Sequence, residues 1–594
     1  MSLLRSGIGF LALSYLLGLL SGAVAAQDLS VHVPTKDGTQ LAVDVYLPAG
    51  HQAGDRYPAL LELTRYWRAQ EDALTGKPRA SLRGVCRHLL AADYALVKVD
   101  VRGTGASFGT RTSEYGRQEV RDGYDIVEWV VSQAWCTGVV GAYGTSYTGT
   151  TAEFLAACGH PAVKAVIPGW SDFDAYRSPV RPYGMYPAGL MDAWGRMVRF
   201  MDVNDAQALG GSVRRVQADT EGHLLAEALA QHEDNFDVTS SVRGGEYRDS
   251  SFGSDTYAEI SSLYWKQAIE KSGVPMLVFA SWLDAGTADG ALQRLQHYSN
   301  PQKVLILASS HGGSSHASPF EVGGRPGAPR PSTREQFEMR RAFFDRHLKG
   351  IENDVDEWPT LRFYNMGEES YHDSDAWPLE GVRPVRLFPG SEGSLGLVPE
   401  GSGERSDVHE VDYGVTIGIA NRWSTQLGGP VLRLDDRGAM NERMLTYTSD
   451  SLEDELQVTG TPVVHLRVRT NRKDLALFCY LEDVDPEGRV RYVTEGGLRL
   501  VHRKLGKNPV LDETLPYHSF NAADARPLVP GEITEVTFRL WSSSVLFQEG
   551  HRIQISIAGA DAGNFERIPA QGETTLELFW GAEGGSYIEL PILD

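Results

Sequence analysis

Residues 139–156 read VVGAYGTSYTGTTAEFLA, an apolar run followed by a glycine-flanked serine and then by small residues. The pattern predicts a buried strand, a tight turn at Ser146 and a helix that begins at once. Such a turn is typical of the nucleophile elbow of α/β hydrolases, although the spacing here is G-x-S-x-x-G rather than G-x-S-x-G. The alternative is an ordinary strand–helix turn in which Ser146 only caps the helix.

Apolar and amphipathic segments alternate through the first half of the chain. Residues 118–134 repeat apolar side chains at three- and four-residue spacing, which predicts a helix. Several apolar segments are continuous, as in strands that are buried on both faces of a parallel sheet. The sequence therefore predicts an α/β domain. Its predicted strands are 41–47, 57–63, 94–99, 139–143, 163–167, 275–280 and 303–308.

Two further regions follow different patterns. Residues 171–271 are rich in Met, Trp, Tyr and charged side chains without a strand repeat, which indicates an inserted helical cap. From about residue 385 apolar and polar side chains alternate, for example at 464–468, which predicts an antiparallel β-sandwich of the jelly-roll type. The predicted domains are an α/β-hydrolase domain at 27–170 and 272–378, a helical cap at 171–271 and a jelly-roll domain at 379–594.

The first 26 residues have the features of a signal peptide. Arg5 precedes an apolar run at 8–20, and small residues at 23–26 offer a cleavage site. A membrane-spanning helix needs about 20 apolar residues, so the short run favours cleavage over an uncleaved anchor. We therefore expect export to the periplasm or the extracellular space, with no membrane association after cleavage.

Charge and cysteine content restrict the possible partners. The chain has 594 residues and a formal net charge of -22, which disfavours binding to nucleic acid or to anionic membranes. Four cysteines in a chain of this length do not make a disulfide-dependent scaffold. The sequence contains no CxxC pair, so the cysteines do not suggest a zinc site. No metal is expected. The pairing of Cys86, Cys136, Cys158 and Cys479 is left open, as is a homo-oligomeric state.

Candidates for a catalytic acid and base follow two later strands. Asp284 comes just after the predicted strand 275–280, and His311 just after 303–308. The order Ser, Asp, His is the one found in α/β hydrolases, and active sites of α/β folds form at the carboxyl ends of strands. Asp289 and His316 lie close by in the sequence and are the alternatives.

Motifs spread over the whole chain resemble those of the CocE/NonD hydrolase family. This family includes bacterial cocaine esterases, X-Pro dipeptidyl-peptidases, α-amino-acid ester hydrolases and glutaryl-cephalosporin acylases. The resemblance also covers the strand at 274–286, the histidine loop and the C-terminal domain. The motifs that carry it are VDVRGTGAS at 99–107, WCTG at 135–138, GTSY at 144–147, LEDVDPEG at 481–488 and PGE at 530–532.

The resemblance implies roles for five residues. Ser146 would be the nucleophile, Asp284 the triad acid and His311 the general base. The backbone N–H of Tyr147 and the hydroxyl of Tyr66 would form the oxyanion hole. Two places depart from the family pattern: Arg65 replaces a proline before Tyr66, and ASSH at 308–311 lacks the usual Gly-Pro-Trp before the histidine. The implied chemistry needs no cofactor.

The sequence leaves the substrate open. Trp170, Phe173 and Tyr176 are candidates to line an acyl or leaving-group pocket, with core packing as the alternative. An amino-acid ester would need carboxylates around its ammonium group, for which the cap offers residues 233, 234 and 237. We expect a serine hydrolase of small carboxylic esters. The alternatives are an X-Pro dipeptidyl-peptidase or amide acylase, and an inactive scaffold that binds a carbohydrate or a protein.

Overall fold

The computed structural model describes residues 28–79, 82, 84–321, 326–428, 432–507, 515–581 and 584–593. The predicted signal peptide therefore lies outside the described residues. Within these ranges no helix combines the length and the apolar character that a membrane span requires. All four cysteines are described, and none of them forms a disulfide bond.

The described residues up to 169 contain seven strands and three α-helices, which alternate from α1 onward as expected for an α/β domain. In chain order they are β1 (Leu29–Pro34), β2 (Gln40–Tyr46), β3 (Tyr57–Thr64), β4 (Gln70–Asp72), α1 (Val85–Leu90), β5 (Ala95–Asp100), α2 (Arg117–Val131), β6 (Cys136–Thr145), α3 (Tyr147–Ala157) and β7 (Val163–Gly169).

The next hundred residues are mostly helices and loops, with three strands of two or three residues that the sequence did not predict. The elements are α4 (Ala188–Asp202), α5 (Ala206–Leu209), β8 (Gly211–Val213), α6 (His223–His232), α7 (Val238–Gly244), β9 (Ser251–Phe252), β10 (Asp255–Thr256) and α8 (Lys266–Ser272). Strand β8 pairs with β4, which ties this segment to the loop after β3.

The chain then returns to the first sheet. The elements are β11 (Met276–Ser281), α9 (Thr287–His297), β12 (Gln302–Leu307), α10 (Thr333–Leu348), β13 (Leu361–Asn365) and β14 (Ser370–Ser374). The sheet has ten strands in the order β1-β2-β5-β3-β6-β7-β11-β12-β13-β14. Strands β5 to β13 along this order are parallel, and the strands at both edges are antiparallel.

The sequence predictions for this sheet are confirmed. All seven predicted apolar runs are strands of the sheet, and the predicted helix at 118–134 is α2. The central strands are buried on both faces; β11, for example, is buried at every position. Because these strands are parallel, the segments that follow β3, β6, β7, β11 and β12 emerge at one edge of the sheet.

The described residues of the C-terminal part form strands, short 3₁₀ turns and one short α-helix. The strands and the α-helix are β15 (Val382–Pro389), β16 (Ser394–Gly396), β17 (Glu404–Glu410), α11 (Gly438–Asn441), β18 (Leu445–Ser449), β19 (Leu456–Gly460), β20 (Val463–Thr470), β21 (Ala476–Val484), β22 (Val490–Arg499), β23 (Thr534–Arg539), β24 (Ser543–Phe547), β25 (Arg552–Ala558), β26 (Thr575–Gly581) and β27 (Tyr587–Leu593). The predicted alternation at 464–468 is seen in β20, where buried and half-buried residues alternate. This β-rich part contacts the first sheet directly, since Met366 and Val545 form a bridge between the two.

Candidate active site

Ser146 lies in a strained turn between β6 and α3. Its backbone has φ 63° and ψ -125°, a conformation that non-glycine residues rarely adopt. A Cβ at Gly144 would lie 2.2 Å from the backbone of Thr148, and one at Gly149 would lie 2.5 Å from the carbonyl oxygen of Gly169. Both positions therefore require glycine. The turn presents Ser146 at the carboxyl edge of the sheet, at the start of α3, as an elbow does.

Asp284 and His311 meet near this turn, where a Cβ at Gly312, the residue after His311, would lie 3.5 Å from Cγ2 of Thr145. The Nδ1 atom of His311 lies 2.8 Å from Oδ2 of Asp284, whose side chain is fully buried. Burial by itself would lower the pKa of His311, but the charge and the hydrogen bond of Asp284 outweigh it, so the pKa is raised above its ordinary value. The other ring nitrogen, Nε2, is buried and has no hydrogen-bond partner among the described residues. It is therefore available to a reacting group.

The two alternative residues have other partners. Asp289 accepts hydrogen bonds from the backbone and the hydroxyl of Ser542 and forms an ion pair with Arg539. His316 lies 3.3 Å from a carboxylate oxygen of Glu369. The described contacts do not pair Asp289 with His316, whereas Asp284 and His311 are in direct contact. The geometry thus supports Asp284 and His311 over these alternatives.

Tyr66 lies on the loop after β3 and lines the cavity that contains Ser146. Its hydroxyl oxygen accepts a hydrogen bond from Nε1 of Trp194 at 3.0 Å. Burial raises the pKa of Tyr66 to about 12, so the hydroxyl keeps its proton and can donate it. Tyr147 is the first residue of α3, and its backbone N–H is therefore one of the groups that a helix leaves unpaired at its start.

A buried ionic cluster fixes the Tyr66 loop. The guanidinium of Arg68 pairs with Asp44 and Asp100, and all three side chains are fully buried. Asp100 also accepts a hydrogen bond from the backbone N–H of Arg68. On the other side of Tyr66, Arg65 pairs with Glu114 and Asp202. The arginine that replaces the family's proline at position 65 is thus an internal ion-pair partner.

The cavity at Ser146 is small, about 50 Å³, and mostly apolar. Helix α4 contributes three of the lining residues, and the C-terminal domain contributes Gln426 and Leu427. Two carboxylates reach it, those of Glu114 and Asp172. The lining residues are Tyr66, Glu114, Tyr115, Ser146, Thr150, Asp172, Ala175, Pro179, Val180, Leu190, Met191, Trp194, Phe252, Ile260, Ser261, Gln426 and Leu427.

The three aromatic residues predicted to form a pocket lie elsewhere. Trp170 stacks on Phe279, Phe173 packs on Tyr298, and Tyr176 packs on Tyr257. All three are buried, and none lines the cavity. These ring contacts match the alternative of core packing, and a pocket role for the three residues stays a prediction.

The carboxylates predicted to hold an ammonium group also lie away from the cavity. Residues 233 and 234 are exposed, and the Asp237 side chain caps the N-terminus of α7. Asp172, three residues past β7, lines the cavity of Ser146 instead. Sequence reasoning missed it, although its position after a strand was a usable signal.

Asp172 carries the unbalanced charge of the cavity. Glu114 is neutralised by Arg65 and Arg111, whereas no described lysine or arginine forms an ion pair with the carboxylate of Asp172. Its Oδ1 atom accepts a hydrogen bond from the Ser178 hydroxyl at 2.6 Å. Burial raises the pKa of Asp172 to about 7, the hydrogen bond from Ser178 opposes this, and the charge of Asp284 adds to it.

One group of described residues has the spacing of metal ligands. The ligand atoms of His316, Glu321 and Glu369 lie within 4.8 Å of one another. However, Arg330 pairs with Glu321 and lies 4.0 Å from Glu369, and Glu369 also accepts hydrogen bonds from Ser318 and Tyr364. These partners already balance the carboxylates, so the group is not a good cation site.

A serine in a strained strand–helix turn, near a His–Asp pair with a buried carboxylate at the carboxyl edge of a parallel sheet, defines a serine hydrolase of the α/β-hydrolase fold. Comparisons with known proteins identify the group to which it belongs. Residues 37–313 match the model of the X-Pro dipeptidyl-peptidase (S15) family, and residues 353–581 match that of the X-Pro dipeptidyl-peptidase C-terminal non-catalytic domain. The chain belongs to this family of CocE/NonD serine hydrolases.

The relatives differ in their activities. A protein named as a serine esterase in Mycobacterium bovis is 36% identical, with 95% of each chain covered. The cocaine esterase of a Rhodococcus species is 26% identical, covering 95% of this chain and 98% of its own. An α-amino acid ester hydrolase structure has the same fold, with a TM-score of 0.71, 20% identity and coverage of 98% and 100%. The chain is therefore a hydrolase whose substrate the comparisons leave open.

Proposed function

We propose that the chain is a carboxylic ester hydrolase in which Ser146, His311 and Asp284 form the catalytic triad. The observation that carries the proposal is the position of His311. Its Nδ1 atom is held by Asp284, its buried Nε2 atom has no partner among the described residues, and the next residue, Gly312, lies next to Thr145 of the elbow. A base oriented in this way is what nucleophilic catalysis by serine requires.

The reaction would proceed by two acyl transfers. His311 takes the proton of Ser146 Oγ as this oxygen bonds to the ester carbon. The same proton then passes to the leaving alcohol as its C–O bond breaks. Water repeats the sequence, and the acyl group leaves Ser146 as a carboxylic acid. The hydroxyl of Tyr66 and the N–H of Tyr147 would stabilise both oxyanions, by about 2.7–4 kcal/mol for each donor.

The experiment that tests the proposal is covalent labelling of the purified protein with a fluorophosphonate. We expect Ser146 to be labelled, and the labelling and the hydrolysis of p-nitrophenyl esters to be lost together in Ser146→Ala. Ser171→Ala is a matched control, since its hydroxyl accepts a hydrogen bond from Arg294 and does not line the cavity. A folded protein that takes up no label would contradict the proposal.

Asp172 favours a second candidate, the hydrolysis of esters or amides that carry an ammonium group. An N-terminal ammonium, as in an X-Pro peptide, would find in the cavity lining a carboxylate that forms no ion pair with a described lysine or arginine. Parallel assays with p-nitrophenyl esters and an Xaa-Pro-nitroanilide separate the two candidates. Preference for the anilide would identify a dipeptidyl-peptidase.

We further propose that residues 171–271 form a helical cap over Ser146. The C-terminal strands would form a jelly roll, and the protein would be exported. Helix α4 supports the cap because Leu190, Met191 and Trp194 line the cavity. Residues 1–26 support export. Sequencing the N-terminus of protein secreted by cells tests export, and a start at residue 26 or 27 is expected.

A further inference from the structure

A glutamine of the C-terminal domain contacts the Asp–His pair directly. Gln426 lies in a short 3₁₀ turn, Ser424–Leu427, between β17 and α11. Its Nε2 atom donates a hydrogen bond to Oδ1 of Asp284 at 2.8 Å and lies 3.3 Å from Nδ1 of His311. The family model for residues 353–581 describes a non-catalytic domain. Here that domain reaches the catalytic acid.

The carboxylate of Asp284 depends on few donors. Asp284 is fully buried. Its Oδ2 atom accepts a hydrogen bond from Nδ1 of His311 and lies 3.5 Å from the Thr287 hydroxyl, which is a long contact. Among the described residues, Gln426 is the one side chain that donates to Oδ1. A buried carboxylate oxygen without a donor is costly, so this amide fixes the carboxylate in the rotation that faces His311.

The same contacts fix the proton on His311. Both Nε2 of Gln426 and Nδ1 of His311 point at one carboxylate, so both act as donors, and their 3.3 Å separation is a close approach of two donors. Nδ1 therefore carries the proton, and Nε2 of His311 is left as the acceptor that a general base needs.

The turn that carries Gln426 is anchored to both catalytic loops. The guanidinium of Arg422 donates to the carbonyl oxygens of Trp282 and Ala285, which flank Asp284. The hydroxyl of Thr425 accepts a hydrogen bond from the backbone N–H of His311 at 3.0 Å. These bonds hold the turn in place. The backbone of Gln426 is therefore fixed, and its side chain reaches Asp284 in a well-defined position.

We propose that Gln426 is a positioning residue of the triad, supplied by the C-terminal domain, that holds the Asp284 carboxylate and thereby the tautomer and orientation of His311. The proposal rests on the triad of the proposed function. It implies that the hydrolase domain without the C-terminal domain would have an incomplete site.

Two variants of the full chain test the role. Gln426→Met keeps the length of the side chain and removes the donor, so we expect kcat/KM for p-nitrophenyl esters to fall about 10- to 100-fold. Gln426→Glu adds a second carboxylate beside Asp284. Since neighbouring negative charge raises the pKa of a histidine, the rising limb of the pH profile should move to higher pH. Leu427→Met, in the same turn and cavity, should leave the position of this limb unchanged.

A readout independent of turnover is the Nδ1 proton resonance of His311 in ¹⁵N-histidine-labelled protein, assigned by its loss in His311→Asn. We expect this resonance to shift in Gln426→Met and to stay in place in Leu427→Met. An unmoved resonance in Gln426→Met, or equal shifts in the two variants, would overturn the proposal. If Ser146 takes up no fluorophosphonate, the triad assignment fails, while the resonance still reports whether Gln426 orients Asp284.

Discussion

The indole N–H of Trp194 donates a hydrogen bond to the hydroxyl oxygen of Tyr66 at 3.0 Å. Trp194 belongs to α4 and Tyr66 to the loop after β3, so the bond links the inserted segment to the sheet at the cavity of Ser146. Because the oxygen of Tyr66 already accepts one bond, its own proton is directed to another acceptor. An ester oxygen bound at Ser146 is such an acceptor.

The first prediction concerns this donor. Tyr66→Phe removes the hydroxyl and should lower kcat for p-nitrophenyl esters about 10²- to 10³-fold, with a much smaller change in KM, because an oxyanion donor acts mainly in the transition state. Trp194→Phe keeps the Tyr66 hydroxyl but removes the hydrogen bond that orients it, so a smaller loss of kcat is expected. Equal kcat in Tyr66→Phe and the parent enzyme would exclude Tyr66 from the oxyanion hole.

A second prediction uses the ionisation of Asp172. Two p-nitrophenyl esters of the same shape, one ending in trimethylammonium and one in tert-butyl, differ only in charge. The pKa of Asp172 is about 7, so its carboxylate is ionised above this pH and protonated below it. The ratio of kcat/KM for the cationic ester to that for the neutral ester should therefore rise with pH through about 7.

This ratio isolates Asp172 because the ionisation of His311 affects both esters alike and cancels. In Asp172→Asn the ratio should be low and independent of pH. A ratio that still rises with pH in Asp172→Asn would assign the effect to another group. Glu114 is the other carboxylate in the cavity lining. It forms ion pairs with Arg65 and Arg111, whose positive charges offset its own at the cavity.

The fold was predictable from the sequence because two independent sequence signals identify the central strands. They are continuously apolar, as burial on both faces requires, and they are bounded by glycine-rich turns. The edge strands β1 and β14 were missed, since a strand paired on one side carries fewer apolar residues and resembles a loop, and the five-residue strand β13 beside β14 was missed as well. Strand β14, for example, reads SYHDS and has no fully buried residue.

The candidate triad was predictable for a similar reason. Ser146, Asp284 and His311 each follow a recognisable strand, and parallel strands bring their carboxyl ends together. The cavity was not predictable, because its walls come from α4 and from a turn of the C-terminal domain. Nothing near Gln426 in the sequence marks it as a neighbour of Asp284, and only the packing of the two domains brings them into contact.

A third prediction distinguishes the two candidate acids through the pH profile. Asp284→Asn should lower kcat about 10⁴-fold, since the imidazole loses the carboxylate that orients it and stabilises its charged form. The carboxylate also raises the pKa of His311 against the opposing effect of burial. Its removal should therefore move the rising limb of the remaining activity to lower pH.

Asp289→Asn is the matched control for this experiment. Asp289 pairs with Arg539 and Ser542 and does not contact His311, so its loss should leave the limb in place. A shift of the limb in Asp289→Asn, with none in Asp284→Asn, would reverse the assignment of the acid.

The last prediction concerns the stability of the Tyr66 loop. Arg68→Met removes the cation shared by Asp44 and Asp100 and leaves two fully buried carboxylates without a counter-charge. Breaking a buried pair in this way costs about 3–5 kcal/mol of the free energy of unfolding, which denaturation with urea would measure. Arg362→Met is the control, because its pair with Asp373 is exposed and should contribute less than about 1 kcal/mol.

The Arg68 variant should also lose activity in its folded fraction, since Arg68 lies two residues after Tyr66 on the same loop. Equal stability of the two variants would show that the Arg68 cluster relaxes or takes up water when its cation is removed.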